Sequence, residues 1–313
     1  MTTGQPPATP PAARVAADPR LDAARVLAPG PLSKAMRRVF GNRSFVVAGT
    51  IFGAIILMAI FAPLLAPYDP YSQSLANRMI PPVWYENGSW EHVFGTDAVG
   101  RDYLSRIIYG ARVSLLIGVS AALISGIIGG ILGITAGYFG GRADMVISFI
   151  ITMRLSLPVI LVALALVAFV GASLEIVIAV LGLLLWDRYA VVMRSATMQV
   201  RSLDYVAAAN AIGTSTPRII FSEILPNILN NFIIVATFEM ANAILLEAAL
   251  SFLGLGVQPP TPSWGLMIAE GRDYLFFDAW VIVIPGLALS ILVLAVNMLG
   301  DGLRDITAPE RRN

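Results

Sequence analysis

Six separate runs of predominantly apolar residues constrain this chain more than any other feature. They cover roughly 45–65, 113–138, 145–170, 174–194, 230–254 and 279–300. A helix needs about 20 apolar residues to cross the hydrocarbon core of a bilayer. In lipid the backbone must satisfy its own polar groups, which leaves helices or closed barrels. Runs of this length select helices. Composition agrees: 57% of the 313 residues are apolar and 13% charged, against about 25% charged in a soluble domain. The chain reads as an all-α integral membrane protein with six transmembrane helices.

Scarce residue types remove most chemistry. There is no cysteine, one histidine (His92), and Lys34 is the sole lysine. Thiolate nucleophiles, disulfides and cysteine zinc sites are therefore out of reach. A lone histidine cannot make a paired-histidine zinc motif, and Lys34 does not follow the glycine-rich turn of a P-loop. No catalytic or metal-ligating constellation is visible. A net charge of +1 gives no reason to expect nucleic acid.

Residues 1–43 form a tail. Positions 1–31 are rich in proline and alanine and read as disordered. Leu32–Arg43 intersperses Lys34, Arg37, Arg38 and Arg43 with Leu32, Met36, Val39 and Phe40. That pattern fits either an amphipathic helix on an anionic membrane surface or a plain basic flank to the first span. The first run lacks a small-residue cleavage site and exceeds a signal-peptide core, so it reads as a retained anchor. Arg14, Arg20 and Arg25 add to the basic excess, which places the N-terminus in the cytoplasm. An even number of spans brings residues 307–313 back to that side. Loop 66–112 is then external and 195–229 cytoplasmic, within a permease domain spanning 44–306.

Polar and small residues inside the spans mark candidate sites. Gly126, Gly129, Gly130, Gly133 and Gly137 form overlapping GxxxG pairs, which allow close helix approach. They suit tight packing or a sliding surface. Pro158 favours a kink in the third span. Glu239, Asn242 and Glu247 lie in the fifth, where ionisable groups are costly and point to pathway or helix-pairing roles. Arg154 either lines a pathway or reaches the inner interface by its long stem.

The segment between the fourth and fifth spans carries the clearest functional signal. Tyr205, Ala208, Ala209 and Ile212 follow helical spacing and give a small, apolar face. Gly213 is placed to stop that helix, and Thr216 can cap a second with Pro217 at its first position. A helix–turn–helix on the cytoplasmic side suits docking to another protein.

Ala208-Ala209, then Gly213, then Leu225-Pro226 resemble the EAA loop of ABC importer permeases, with Ala207 in place of the glutamate and Glu223 at the isoleucine position. His92-Val-Phe-Gly-Thr-Asp-Ala-Val-Gly-Arg-Asp-Tyr-Leu-Ser-Arg106, Glu247-Ala-Ala-Leu-Ser-Phe-Leu-Gly-Leu-Gly256, Pro262-Ser-Trp-Gly-Leu266 and Gly300-Asp-Gly-Leu-Arg-Asp305 are similar to the second permease subunit (DppC/OppC type) of dipeptide, oligopeptide and nickel importers. The resemblance implies a Type I importer fold in a bacterial cytoplasmic membrane. It implies a coupling helix built from Tyr205, Ala208, Ala209, Gly213, Thr216, Pro217, Leu225 and Pro226. The implied partners are a homologous second permease, two ATP-binding subunits carrying ATP and magnesium, and an external solute-binding protein. The rival reading is a stand-alone secondary transporter or channel, which would have no need of the cytoplasmic helix–turn–helix.

Overall fold

A computed structural model describes residues 41–307; the expected disordered tail, nearly all of the amphipathic segment, and residues 308–313 lie outside the described residues. Among the described residues regular structure is helical, apart from a bridge between Thr96 and Asp102. The helices are α1 (Arg43–Ile60), α2 (Ala62–Leu65), α3 (Tyr103–Phe139), α4 (Gly141–Leu155), α5 (Val159–Val170), α6 (Leu174–Leu184), α7 (Trp186–Arg201), α8 (Asp204–Ala211), α9 (Thr216–Arg218), α10 (Leu225–Phe252), α11 (Trp264–Gly271) and α12 (Trp280–Thr307). Five stretches are long and apolar enough to cross a membrane: 43–60, 103–139, 174–201, 216–252 and 280–307. The bent pair α4–α5 supplies the sixth span.

Helix ends follow local chemistry. The Asn42 side chain accepts a hydrogen bond from Phe45 N at 3.1 Å and starts α1, and Asp102 accepts from Ser105 N at 2.8 Å at the start of α3. Each side chain supplies an acceptor that the first turn lacks. Gly140, at φ +64°, ends α3.

Two boundaries differ from the sequence expectation. The second span was expected from residue 113, with Arg106 and Arg112 in an external loop, yet α3 begins at Tyr103. Arg106 is fully buried because Asp97 and Glu270 meet its Nη1 at 2.6 and 2.8 Å. The expected cytoplasmic loop 195–229 is mostly helical, with α7 running to Arg201 and α10 continuing a helical path from Thr216. In the third span, the expected kink is an 83° break at residues 156–158. Pro158 has no N–H to continue the ladder and flanks α5 as its N-cap residue.

The glycine stripe builds a close seam between α3 and α7. A Cβ on Gly129 would lie 2.2 Å from the Trp186 carbonyl oxygen, on Gly133 2.6 Å from that of Ala190, and on Gly137 2.7 Å from that of Arg194. These carbonyls are four residues apart along one edge of α7. Three glycines on successive turns therefore seat α7 backbone directly on α3. Gly126 makes room for the rings of Phe232 of α10 and Tyr189 of α7.

Candidate functional site

The helix–turn–helix leaves α7 through Ser202 and Leu203. Leu203 is the N-cap residue of α8. At its other end Gly213 takes φ +78°, Gly213 N donates to Asn210 O at 3.0 Å, and Thr214 N donates to Ala209 O at 3.1 Å. This is the paired Schellman arrangement that a glycine at this position permits. The second helix starts one residue earlier than expected. Ser215 is its N-cap residue without a side-chain hydrogen bond, so Thr216 is the first helical position and Pro217 the second.

What fixes α8 to the bundle is Val206, which the sequence reading passed over. It is fully buried with Tyr138, Met193, Ala196, Ile219, Ile224 and Ile228. Ala209 and Leu225, half-buried, pack against the same cluster. Of the expected docking face, Tyr205, Ala208 and Ile212 are exposed, Ile212 at 83%. The expected single face thus divides: Ala209 turns toward the bundle edge, while Tyr205, Ala208 and Ile212 point away. The Tyr205 hydroxyl lies 3.5 Å from Glu223 O, and Pro226 is exposed in the first turn of α10. A valine flanked by alanines gives little signal, since only its tertiary neighbours distinguish it.

The charged residues inside the spans take three different roles. Arg154, at the end of α4, donates through Nη2 to the Leu184 carbonyl, and its Nη1 lies 3.6 Å from Asp187 Oδ2. It therefore ties α4 to the junction of α6 and α7. Glu247 is fully buried, and its Oε1 accepts from Ser251 Oγ at 2.8 Å and Ser263 Oγ at 2.9 Å. Ser263 also caps α11 by accepting from Leu266 N at 3.0 Å. Glu247 thus fastens α11 onto α10.

Glu239 is also buried. Its Oε2 accepts from Asn242 Nδ2 at 3.1 Å, and its Oε1 lies 3.3 Å from Nη1 of Arg188. That approach lacks hydrogen-bond alignment, so Oε1 accepts no hydrogen bond. Arg188 escaped the sequence reading because it sits beside Asp187 inside a run whose apolar residues outweigh its charges.

Residues 129–313 match the model of the family described as binding-protein-dependent transport system inner membrane component. The chain belongs to this permease family. Residues 30–82 match the N-terminal TM domain of oligopeptide transport permease C. The di/tripeptide transport system permease protein DppC of Pseudomonas aeruginosa is 43% identical over 286 residues, covering 91% of this chain and 94% of that protein. The dipeptide transport system permease protein DppC of Haemophilus influenzae is 40% identical over 270 residues, covering 86% and 91%. The inward-facing methionine ABC transporter MetNI shares the fold: a chain of that structure aligns with TM-score 0.55 and 19% identity, over 66% of this chain and 98% of its own. This ABC importer permease is a multi-pass transport subunit and not an enzyme.

Proposed function

We propose that this permease forms half of the transmembrane pathway for peptides or related small solutes, which an external solute-binding protein delivers. A homologous permease supplies the other half. Two ATP-binding subunits, holding ATP and magnesium, drive the cycle from the cytoplasmic side, where both termini of this chain lie. The observation that carries the reading is α8: Val206 holds it to the bundle, while Tyr205, Ala208 and Ile212 are exposed on its other side. A short helix, rigid at its base and apolar at its surface, fits a cleft in an ATPase. Movement of that cleft would be passed to α7 and α10, which flank the helix–turn–helix in sequence.

The test is reconstitution of the permease pair with its ATPases in liposomes. External binding protein loaded with dialanine should stimulate ATP hydrolysis and dialanine uptake together. Uptake that needs no ATPase and follows an ion gradient would overturn the reading.

A further inference from the structure

Two unusual features meet at one depth of the bundle. Asp144 in the first turn of α4 pairs with Arg194 midway along α7, with Nη2 to Oδ2 at 2.7 Å, so the start of α4 lies beside the middle of α7. At about 1.5 Å per residue, Leu155 stands about 21 Å from the Gly141 end of α4, and Arg188 about 20 Å from the Arg201 end of α7. Glu239 lies about 21 Å from Leu225, the end of α10 that joins the same helix–turn–helix. Leu155, Arg188 and Glu239 line one cavity of about 340 Å³, walled by Val191, Val235 and Phe238.

The first feature is broken backbone. Ser156, Leu157 and Pro158 are non-helical and exposed at this depth, and the N-terminus of α5 has no side-chain cap. Non-helical backbone is tolerated at membrane depth only when covered by protein or lining a water-filled cavity. The second is the ion pair. The Arg188 side chain is 63% exposed and that of Glu239 1%. A charge in mid-span faces a bundle interior or a water-filled space, since lipid does not solvate it. Nη1 is the only Arg188 guanidinium nitrogen with a partner among the described residues, and Glu239 Oε1 accepts no hydrogen bond.

We propose that Arg188 and Glu239, beside the break at Ser156–Pro158, form a mid-membrane station on the transport pathway that takes a small zwitterion by its carboxylate and ammonium groups. The free guanidinium N–H groups suit a carboxylate, and the open lone pairs of Glu239 Oε1 suit an ammonium. A simple anion or cation would satisfy one member and leave the other unpaired in a poorly solvating site. A zwitterion satisfies both, and the neutral pair does not hold a neutral solute back by net charge. The apolar wall accommodates side chains without reading them. This inference rests on the importer reading above.

The test uses the intact complex. Because this chain has no cysteine, Ser156→Cys and Arg188→Cys can be read singly once its partners are cysteine-free. Membrane-impermeant methanethiosulfonates, one cationic and one anionic, are applied from each side of the bilayer. Labelling is compared between the nucleotide-free and ATP-trapped complex, with and without dialanine-loaded binding protein. Both positions should be labelled from one side in one state and from the other in the second, and dialanine should slow labelling at least tenfold.

Dialanine uptake by Arg188→Gln should fall tenfold or more in maximal rate, with the half-saturating concentration of binding protein unchanged. The double variant Arg188→Gln with Glu239→Gln leaves no unpaired charge, so it should assemble and show the same loss. Two results would overturn the proposal. One is positions closed to reagent in every state, with Arg188→Gln losing the second permease on purification. The other is labelling that dialanine does not slow, with full uptake by the double variant. Absence of ATP-driven uptake by the unmodified complex would instead sink the importer reading.

Discussion

Arg106 of α3 and Glu270 of α11 meet at 2.8 Å, and the arginine is fully buried although it stands in what the sequence presents as a loop. Asp97 completes the arrangement. Its Oδ2 takes Arg101 Nε and Arg106 Nη1, each at 2.6 Å, and its Oδ1 takes the backbone N–H groups of Val99 and Arg101, each at 2.9 Å. One carboxylate thereby fixes the loop, the first turns of α3 and, through Arg106, α11.

Asp97→Ala should accordingly cost more than Arg106→Met. The alanine strands two arginines with one partly exposed glutamate and frees two backbone N–H groups. The methionine leaves Arg101 to serve both carboxylates. Loss of one partner from a buried pair costs about 3–5 kcal/mol, and Asp97→Ala should approach that range while Arg106→Met falls below it. Thermal unfolding of the purified complex would check the order.

The glycine seam gives a sharper contrast. Gly129→Ala places a methyl 2.2 Å from a backbone carbonyl oxygen, whereas Gly130→Ala meets only the Phe232 ring at 3.5 Å. Overpacking of this kind costs about 1–3 kcal/mol where neighbours can shift, and a helix backbone shifts poorly. Gly129→Ala should sharply reduce the yield of monodisperse protein. Gly130→Ala should leave it unchanged.

At the proposed coupling segment, position and contact can be separated. Val206→Ala removes buried apolar surface and should loosen α8 by about 2 kcal/mol. The Cβ of Gly213→Val would meet no neighbour within 4 Å, but the residue must adopt φ +78°, which costs about 1–2 kcal/mol for an L-residue. Ala208→Asp touches neither the anchor nor the turn. We expect Ala208→Asp to keep wild-type thermal stability while binding-protein-stimulated ATP hydrolysis and uptake both fall. Normal uptake by this variant would remove α8 from the coupling role.

Orientation is tested by single cysteines at exposed positions. Trp90 (82% exposed) and Phe276 (91%) should label from outside, and Ile212 (83%) only from the cytoplasm. Labelling of Trp90→Cys from the cytoplasm alone would reverse the topology.

The spans were legible because a membrane helix announces itself through composition alone, within its own residues. Glycine spacing at 129, 133 and 137 also foretold close approach, but not that the carbonyls of Trp186, Ala190 and Arg194 receive it. What stayed hidden depends on partners distant in sequence. Arg106 looks like a loop charge until Glu270 is brought to it, and Arg154 gains its partner where the helix is interrupted at Leu185. Val206 is anonymous among alanines, and Arg188 is diluted by the apolar run around it. Glycine at 213 was readable as a stop because positive φ is a property of one residue.

The seam of α3 and α7 has a mechanical meaning. Where no Cβ separates two helices, there is no soft layer of side chains to absorb a push, so the pair behaves as one stiff beam. Only Ser202 and Leu203 stand between the end of α7 and the start of α8. A displacement applied at α8 is thus delivered to Arg188, partway up the beam, with little play lost on the way.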